Sequence, residues 1–238
     1  MSACKPYGDT ATARLMVIGH DPRLHLGKAE AKYAFFLDYL ERPIPLIRSE
    51  RRKYEFASAV VRYVRFLAGF SIPITDQYFT NLCNEFINGP IYSGTVLIPD
   101  DFADTGIRAI EDTLNRGSFK VILAMTPQVF YHLARTGFVN NSDDRVIPFY
   151  RNARPSFAAM NKKAYVPTAK SPFLAVCGLK FHHRNDNIPV VPIVHAKQWP
   201  LNARMNPHYG SLMEMAAKNV RNCIGDTLRS NTREIPQN

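Results

Sequence analysis

Cysteine is sparse in this sequence, and its placement excludes several kinds of site. The 238 residues include only four cysteines, and no two of them form a C-x-x-C pair. Zinc sites and iron–sulfur clusters usually depend on closely spaced ligands, so neither is indicated. A disulfide framework is typical of much shorter secreted chains. We therefore predict free thiols in a reducing compartment, with no metal and no cofactor.

Long apolar runs and several motifs that would identify an enzyme class are also missing. No run approaches the ~20 residues that a membrane-spanning helix requires, and the N-terminus shows no secretory leader. G-x-G-x-x-G, the P-loop, H-E-x-x-H and G-x-S-x-G do not occur. We therefore expect a protein of the bacterial cytoplasm or of the nucleus that is neither secreted nor membrane-associated, and we find no local support for a serine or cysteine hydrolase.

Acidic residues are fewer than basic ones. The sequence has 20 acidic residues against a total of 30 lysines and arginines, which gives a formal net charge of +10 and a pI near 9.6. An excess of this size favours a polyanionic partner, with nucleic acid first and an anionic membrane surface second. The alternative is a protein that is basic without such a partner.

Apolar runs alternate with helical patterns along most of the chain. Hydrophobic residues make up 46% of the sequence, enough for a core, and the length suits one domain. The patterns predict strands near 14–19, 78–81, 95–98, 119–125, 173–176 and 190–194. They predict helices near 28–39, 50–67 (with Ser49 as N-cap), 100–117, 126–137 and 211–224, and a long loop over 139–170.

The main strands read as continuous apolar runs rather than alternating ones, which is typical of a parallel sheet covered on both faces. We therefore predict an α/β fold, a three-layer α/β/α sandwich with a mostly parallel central sheet. One domain would span 1–238, with flexible tails at 1–12 and 229–238.

Polar side chains follow several of these strands. His20 and Asp21 leave the first strand, Asn81 ends another, Thr126 follows Met125, and His195 follows the last strand. Because ligands of such sheets bind outside the carboxyl ends of the strands, one pocket could collect these side chains. Taken singly, each has an ordinary alternative as a turn or cap residue.

Four segments of this chain, taken in their order along the sequence, resemble motifs of the uracil-DNA glycosylase superfamily. "VIGHDPRL" at 17–24 is similar to the first motif, which is commonly Gly-Gln-Asp-Pro-Tyr, and "FTNL" at 79–82 is similar to the middle motif. "FKVILAMTPQVFYHL" at 119–133 resembles the third core strand with its helix, and "VPIVHAKQWPL" at 191–201 resembles the last motif. The match extends from about residue 14 to about residue 205.

The resemblance implies a role for each matched residue. Asp21 would position the hydrolytic water or stabilise the cationic sugar, and His195 would donate a hydrogen bond to the departing base. Asn81 would read the O4/N3 edge of a flipped uracil. The family also stacks an aromatic side chain on that base, which is Phe35 or Phe36 here unless they belong to the core. The remaining base-pocket positions from the first motif are Gly19, His20 and Arg23.

The family also contacts DNA around the last motif. An apolar wedge from the loop after the histidine enters the duplex there, and the candidates in this chain are Trp199, Leu201 and Met205, with a core position as the alternative for Trp199. The candidate phosphate contacts are Lys162, Lys163, Lys197 and Arg204.

Three departures mark the chain as a divergent member. His20 replaces the usual glutamine, Arg23 replaces the tyrosine that helps to exclude thymine, and Ala196-Lys197 replaces Pro-Ser. The resemblance predicts a monomeric, metal-independent DNA N-glycosylase acting on uracil or a related damaged base in single- or double-stranded DNA. The alternatives are a catalytically weak or inactive nucleic-acid-binding module of the same fold, a hydrolase of free nucleosides or of a modified RNA base, and a metabolic α/β enzyme.

Overall fold

Within the described parts of the chain, five strands and four α-helices form the framework. The computed structural model describes residues 4–20, 32–69, 72–84, 98–140, 144–151, 172–196 and 207–230. The strands are β1 Leu15–Gly19, β2 Gln77–Asn81, β3 Val121–Met125, β4 Phe181–His182 and β5 Pro189–Ile193. The helices are α1 Arg48–Ala68, α2 Asp100–Leu114, α3 Pro127–Arg135 and α4 Pro207–Ser230, and the 3-10 segments are Ala34–Glu41, Ile74–Asp76 and Pro172–Ala175.

The strands form one sheet in the order β2-β1-β3-β5-β4. The first four of these run parallel, and only β4 is antiparallel to its neighbour. Every residue of β1, β2 and β3 is buried. Burial on both faces explains why these strands read as continuous apolar runs, and it confirms the predicted α/β class with a mostly parallel sheet.

The helices pack in two pairs. α1 contacts α4, and α2 contacts α3, while α3 and α4 each lie against β3 and β5. This arrangement is compatible with a three-layer sandwich. The sequence of α1 explains why one face of this helix packs against the core. Its core-facing residues recur at helical spacing, and its arginines lie on the opposite, exposed face. Each fully buried valine or leucine contributes about 1.5–3 kcal/mol.

Several predicted elements differ from the observed ones. The helix expected over 28–39 is, where described, a 3-10 segment from Ala34 interrupted by positive φ angles. α1 begins at Arg48 without a side-chain cap, so Ser49 is not its N-cap. The strand expected at 173–176 is 3-10 helix, residues 146–151 are helical inside the expected loop, and α4 extends six residues beyond the predicted 224 to Ser230. Of the strand predicted at 95–98, only Ile98 lies within the described residues, outside any strand.

The N-terminal residues correct the expectation of a flexible tail over 1–12. Tyr7 and Phe79 exchange backbone hydrogen bonds of 2.9 and 2.8 Å, which adds a short antiparallel bridge beside β2. Cys4 is buried and its N–H donates to the Asn84 carbonyl at 2.8 Å. From Cys4 onward the segment therefore supports the end of β2.

Thiol reactivity provides a first prediction. All four cysteines are free, and only Cys223 is partly exposed. Burial, with a smaller contribution from Asp38, raises the pKa of Cys4 to about 12, and burial also raises the pKa of Cys177. Because the thiolate is the reactive form, Ellman's reagent should modify one thiol quickly at pH 8 and all four in denaturant. Cys223→Ser should abolish the fast phase, and a second fast thiol would contradict the packing.

Candidate functional site

The sheet brings the predicted polar residues to one edge. β1, β2, β3 and β5 are parallel, so their carboxyl ends lie on the same side. The chain leaves β1 toward α1 and leaves β3 toward α3, and these helices belong to different pairs. The strand order therefore reverses between β1 and β3, and a crevice at such a switch point is the expected ligand site of an open α/β sheet.

Gly19, Asn81 and Phe35 meet at this edge. Gly19 lies opposite Asn81 in the register of β1 and β2. A Cβ atom on Gly19 would lie 2.5 Å from Cζ of Phe35 and 2.7 Å from Oδ1 of Asn81. No larger residue fits between the aromatic ring and the amide. The last residue of β1 thus lets an aromatic and a hydrogen-bonding side chain approach the same point.

Asn81 is held firmly by its backbone, yet its side chain has unused hydrogen-bonding capacity. Its N–H donates to Oδ1 of Asn84 at 3.3 Å, and Nδ2 of Asn84 donates to Thr80 Oγ1 at 3.3 Å. Asn81 is only 3% exposed. Its Nδ2 atom is buried and has no hydrogen-bond partner among the described residues. A buried donor left unsatisfied costs about 1–3 kcal/mol, so this amide is a strong candidate for binding a ligand.

Phe35 reaches the site through an unusual backbone. Phe35 and Phe36 both have positive φ, 58° and 59°. Left-handed conformations are uncommon for non-glycine residues, and each costs on the order of 1–3 kcal/mol. The result is that Phe35 turns toward Gly19 and Phe79, with a ring separation of 5.8 Å to Phe79. Phe36 instead packs against Tyr39 and Phe56 at 6.3 and 6.2 Å.

His20 connects β1 to α3 across the switch point. Its Nε2 atom is hydrogen-bonded to Oε1 of Gln128, which is 4% exposed in the first turn of α3. The His20 carbonyl accepts a bond from the Cys83 N–H at 3.2 Å. Thr126 caps α3 by accepting from the Val129 N–H at 3.4 Å. Both the ring and the backbone of His20 are therefore positioned from neighbouring elements.

His195 lies half-buried two residues beyond β5. Its ring stacks on Phe56 of α1, with centroids 5.5 Å apart and planes at 10°. Phe56 also lies 6.5 Å from the ring of Phe35. The phenyl ring of Phe56 is therefore a neighbour of both His195 and Phe35, and Phe35 in turn approaches Gly19 and Asn81. We call the assembled set the edge site: Gly19, His20, Phe35, Phe56, Asn81, Gln128 and His195.

Five of these seven residues are among the positions named from the sequence, and one of them, Phe35, is only 7% exposed and belongs to the hydrophobic core, which is the alternative left open for it. Gln128 and Phe56 were missed. Gln128 had a usable signal, because it follows the carboxyl end of β3 by three positions, where a helix starts at the ligand-binding edge. Phe56 had none, since its place on α1 is that of an ordinary apolar residue. Phe36 belongs to the supporting aromatic packing rather than to the edge site.

The other predicted site residues lie outside the described parts of the chain. They are Asp21, Arg23, Lys162, Lys163, Lys197, Trp199, Leu201, Arg204 and Met205.

No protein-family model matches this chain, and neither does any curated protein. Among the described residues, no group of three or more His, Cys, Asp or Glu side chains could hold a metal ion. Within the same parts of the chain, every helix is too short or too polar to span a bilayer.

Gly19→Ala tests the close approach at the edge site. The added methyl group must displace either the Phe35 ring or the Asn81 amide, and overpacking of this kind costs about 1–3 kcal/mol. We expect a lower free energy of unfolding in urea and a loss of ligand binding. Gly210→Ala is the matched control, because a Cβ there would meet no atom within 4 Å. Full stability of Gly19→Ala would contradict the described packing.

Gln128 is a positioning residue for His20, and a double-mutant cycle tests this role. Gln128→Leu keeps the volume but removes the hydrogen bond, and we expect kcat of the activity proposed below to fall about tenfold with little change in KM. Gln128→Glu, which retains an acceptor oxygen, should keep most activity. With His20→Ala as the second change, the two effects should not add. Additive effects would show that Gln128 acts independently of His20.

Proposed function

We propose that this chain is a metal-independent glycosylase that hydrolyses the N-glycosidic bond of uracil, or of a related damaged base, in DNA. One observation carries the proposal: at the carboxyl edge of a parallel sheet, the Phe35 ring and the Asn81 amide both approach Gly19, and the buried Nδ2 of that amide has no hydrogen-bond partner among the described residues. An amide beside an aromatic ring suits a flat base that has been turned out of the duplex, because stacking and edge recognition are then available together. The resemblance in motif order predicts the same residues.

The proposed recognition step uses complementary hydrogen bonds. Asn81 offers a donor at Nδ2 and an acceptor at Oδ1, which match the O4 acceptor and the N3–H donor of uracil. A cytosine edge presents an amino donor at the O4 position and lacks the N3 proton, so the same amide orientation would face it with like groups. Such mismatches leave buried polar groups unpaired, so the site would discriminate strongly between uracil and cytosine.

The proposed reaction separates charge between two groups. The bond between C1′ and the base nitrogen breaks, the electron pair leaves with the base, and the sugar becomes cationic. His195, at the exit of β5, would donate to the base oxygen on which negative charge develops. Asp21, directly after His20 in the sequence, would stabilise the sugar and take the proton from the attacking water, whose oxygen adds to C1′. The base then takes up a proton and leaves.

A nucleic-acid-binding module without turnover is the second candidate, and a specific observation favours it. Four exposed arginines of α1 have no ion-pair partner among the described residues: Arg48, Arg52, Arg62 and Arg65. Together with the net charge of +10, they suit phosphates whether or not catalysis follows.

A strand-cleavage assay separates the two candidates. Labelled oligonucleotides carrying uracil, single-stranded or opposite G or A, would be incubated with the protein in EDTA and then treated with alkali to cleave abasic sites. The glycosylase proposal predicts cleavage at uracil by the wild type and at least a 100-fold loss in Asp21→Asn, with DNA affinity retained. Salt-sensitive binding without cleavage of uracil or other damaged bases would overturn it in favour of the binding module.

A further inference from the structure

Residues 4–8 form a clasp that is hydrogen-bonded to both sides of the edge site. On one side the Lys5 carbonyl accepts a bond from the Ala34 N–H at 2.8 Å, and the Lys5 N–H donates to the Lys32 carbonyl at 3.0 Å. These two bonds form a short parallel bridge. Because Phe35 follows Ala34 directly, the clasp anchors the aromatic side of the site next to its ring.

The clasp also anchors the amide side of the edge site. The Cys4 N–H donates to the Asn84 carbonyl at 2.8 Å, and Oδ1 of Asn84 accepts from the Asn81 N–H at 3.3 Å. Tyr7 and Phe79 exchange backbone hydrogen bonds of 2.9 and 2.8 Å, two residues before Asn81. The clasp therefore holds both β2 and the turn that follows it.

The clasp supplies the hydrogen-bonded connection between these two sides. Within the described residues, no backbone hydrogen bond joins the 3-10 segment Ala34–Glu41 directly to β2. The sides also touch through rings, with Phe35 5.8 Å from Phe79, and with Tyr7 5.5 Å from Tyr33 and 6.4 Å from Phe79. Aromatic pairs tolerate centroid separations of about 4.5–7 Å, whereas backbone hydrogen bonds are confined to about 2.7–3.2 Å. The clasp therefore defines the spacing more narrowly than the rings do.

The backbone that presents Phe35 depends on such an anchor. Phe35 and Phe36 both have positive φ, and strained conformations of this kind persist only where the surrounding structure determines them. The hydrogen bond from Ala34 to Lys5 holds the residue directly before this pair. Without the clasp, these two residues would be expected to relax toward ordinary φ angles and to move the ring.

The edge site leaves little room between its two sides. A Cβ atom on Gly19 would lie too close to both the Phe35 ring and the Asn81 amide. Protein interiors are densely packed and transmit small displacements instead of absorbing them. A shift of either side by a fraction of an ångström therefore changes which base fits between the ring and the amide.

We propose that the clasp is a positioning and specificity element of the edge site, which sets the separation between the Phe35 ring and the Asn81 amide and thereby limits the size of the base that binds there. This inference rests on the proposed function for the identity of the ligand, whereas the spacing is a property of the fold. A clasp displaced from β2 would widen the site, weaken its contacts with uracil and admit a larger base.

Gly8→Ala displaces the clasp, and Gly178→Ala is its matched control. Both glycines have positive φ, 108° and 78°, and a Cβ atom on either would lie 2.4 Å from a backbone oxygen, that of Gln77 or that of Leu212. Gly178 contacts α4 and β5 instead of the clasp. Both variants should lose similar stability in urea, but only Gly8→Ala should move the Phe35 ring away from Gly19.

The spacing is measured by the nuclear Overhauser effect between the Gly19 Hα protons and the Phe35 ring. The position that a Cβ atom on Gly19 would take lies 2.5 Å from Cζ of Phe35, so the wild type should give a strong signal. We expect this signal to be lost in Gly8→Ala and retained in Gly178→Ala.

Excision from single-stranded oligonucleotides measures the consequence for the base. For Gly8→Ala we expect kcat/KM on uracil to fall about tenfold to 100-fold, because a misplacement of about 1 Å has effects of this size. The ratio of kcat/KM for hypoxanthine, a base with two rings, to kcat/KM for uracil should rise about tenfold or more. A loss of stability alone would lower both values equally and leave the ratio unchanged, which is the result expected for Gly178→Ala.

Tyr7→Ala and Tyr7→Phe form a second pair, which keeps the proposal testable if Gly8→Ala does not fold. Tyr7 is only partly buried, and Tyr7→Ala removes the ring that contacts Tyr33 and Phe79. The signal between Gly19 and Phe35 should weaken in Tyr7→Ala and return in Tyr7→Phe, which keeps the ring.

Failure of this inference can be distinguished from failure of the proposed function, because the nuclear Overhauser effect does not depend on catalysis. A signal retained in both Gly8→Ala and Tyr7→Ala overturns the role of the clasp. So does an unchanged base ratio in an active variant whose signal is lost. Loss of the signal in the clasp variants, with no excision of any base by the wild type, rejects the glycosylase alone.

Discussion

Asn81→Leu is expected to abolish base excision without destabilising the protein. The side chain would lose both of the atoms proposed to read the base edge, and removing a preorganised hydrogen-bond donor typically lowers kcat about 100- to 1,000-fold. The buried Nδ2 has no partner among the described residues, so the apolar replacement removes an unsatisfied group. We expect the free energy of unfolding to stay constant or rise by about 1 kcal/mol.

The measurements are single-turnover excision of uracil and urea denaturation of both proteins. Asn84→Leu is the matched control, because the Asn84 amide holds the same turn through Asn81 N–H and Thr80 Oγ1. That variant should lose stability first and activity only as a consequence. If Asn81→Leu were strongly destabilised while its folded fraction excised uracil normally, Asn81 would be a structural residue.

His195→Ala should lower kcat about 100- to 1,000-fold, while DNA affinity changes little. The ring follows β5 and stacks on Phe56, which fixes its position within the edge site before substrate arrives. Loss of this stacking should lower stability by only about 0.5–1.5 kcal/mol, too little to explain the loss of turnover.

His182→Ala provides the comparison for His195→Ala. His182 lies on β4 at the outer edge of the sheet, where its carbonyl accepts a backbone bond from Asn140. We expect nearly wild-type excision from this variant. Equal kcat losses for the two histidines would indicate a general effect of destabilisation and would remove His195 from the proposed chemistry.

The sheet was predictable because its strands are buried on both faces. Leu15–Gly19, Val121–Met125 and Pro189–Ile193 are apolar runs of strand length beside turn residues, and such runs have few other uses. Once these strands are parallel, the shared edge for His20, Asn81 and His195 follows from topology. The sequence therefore predicts that these three side chains share one edge of the sheet, and the proposed site is built on that edge.

Short apolar runs were less informative. Residues 172–175 contain enough apolar character for a strand, but they form a 3-10 turn, and periodicity does not distinguish the two over four residues. Likewise, the pattern over 28–39 fits a helix, whereas Phe35 and Phe36 have positive φ and pack against different neighbours, Phe35 against Gly19 and Phe36 against Tyr39. Tertiary context can override local propensity in this way, and a periodicity argument does not include it.

The side-chain partners in the site depend on packing in the same way. No spacing rule connects His20 with Gln128 or Phe56 with His195, because each pair joins elements that are distant in sequence.

A crystal structure of Asp21→Asn bound to a uracil-containing oligonucleotide would show whether a base enters the edge site. We expect an extrahelical uracil at the carboxyl edge of the sheet, with O4 about 2.9 Å from Nδ2 of Asn81 and the base against Phe35. A uracil that remains stacked in the DNA, or that binds away from Gly19 and Asn81, would contradict the proposed function.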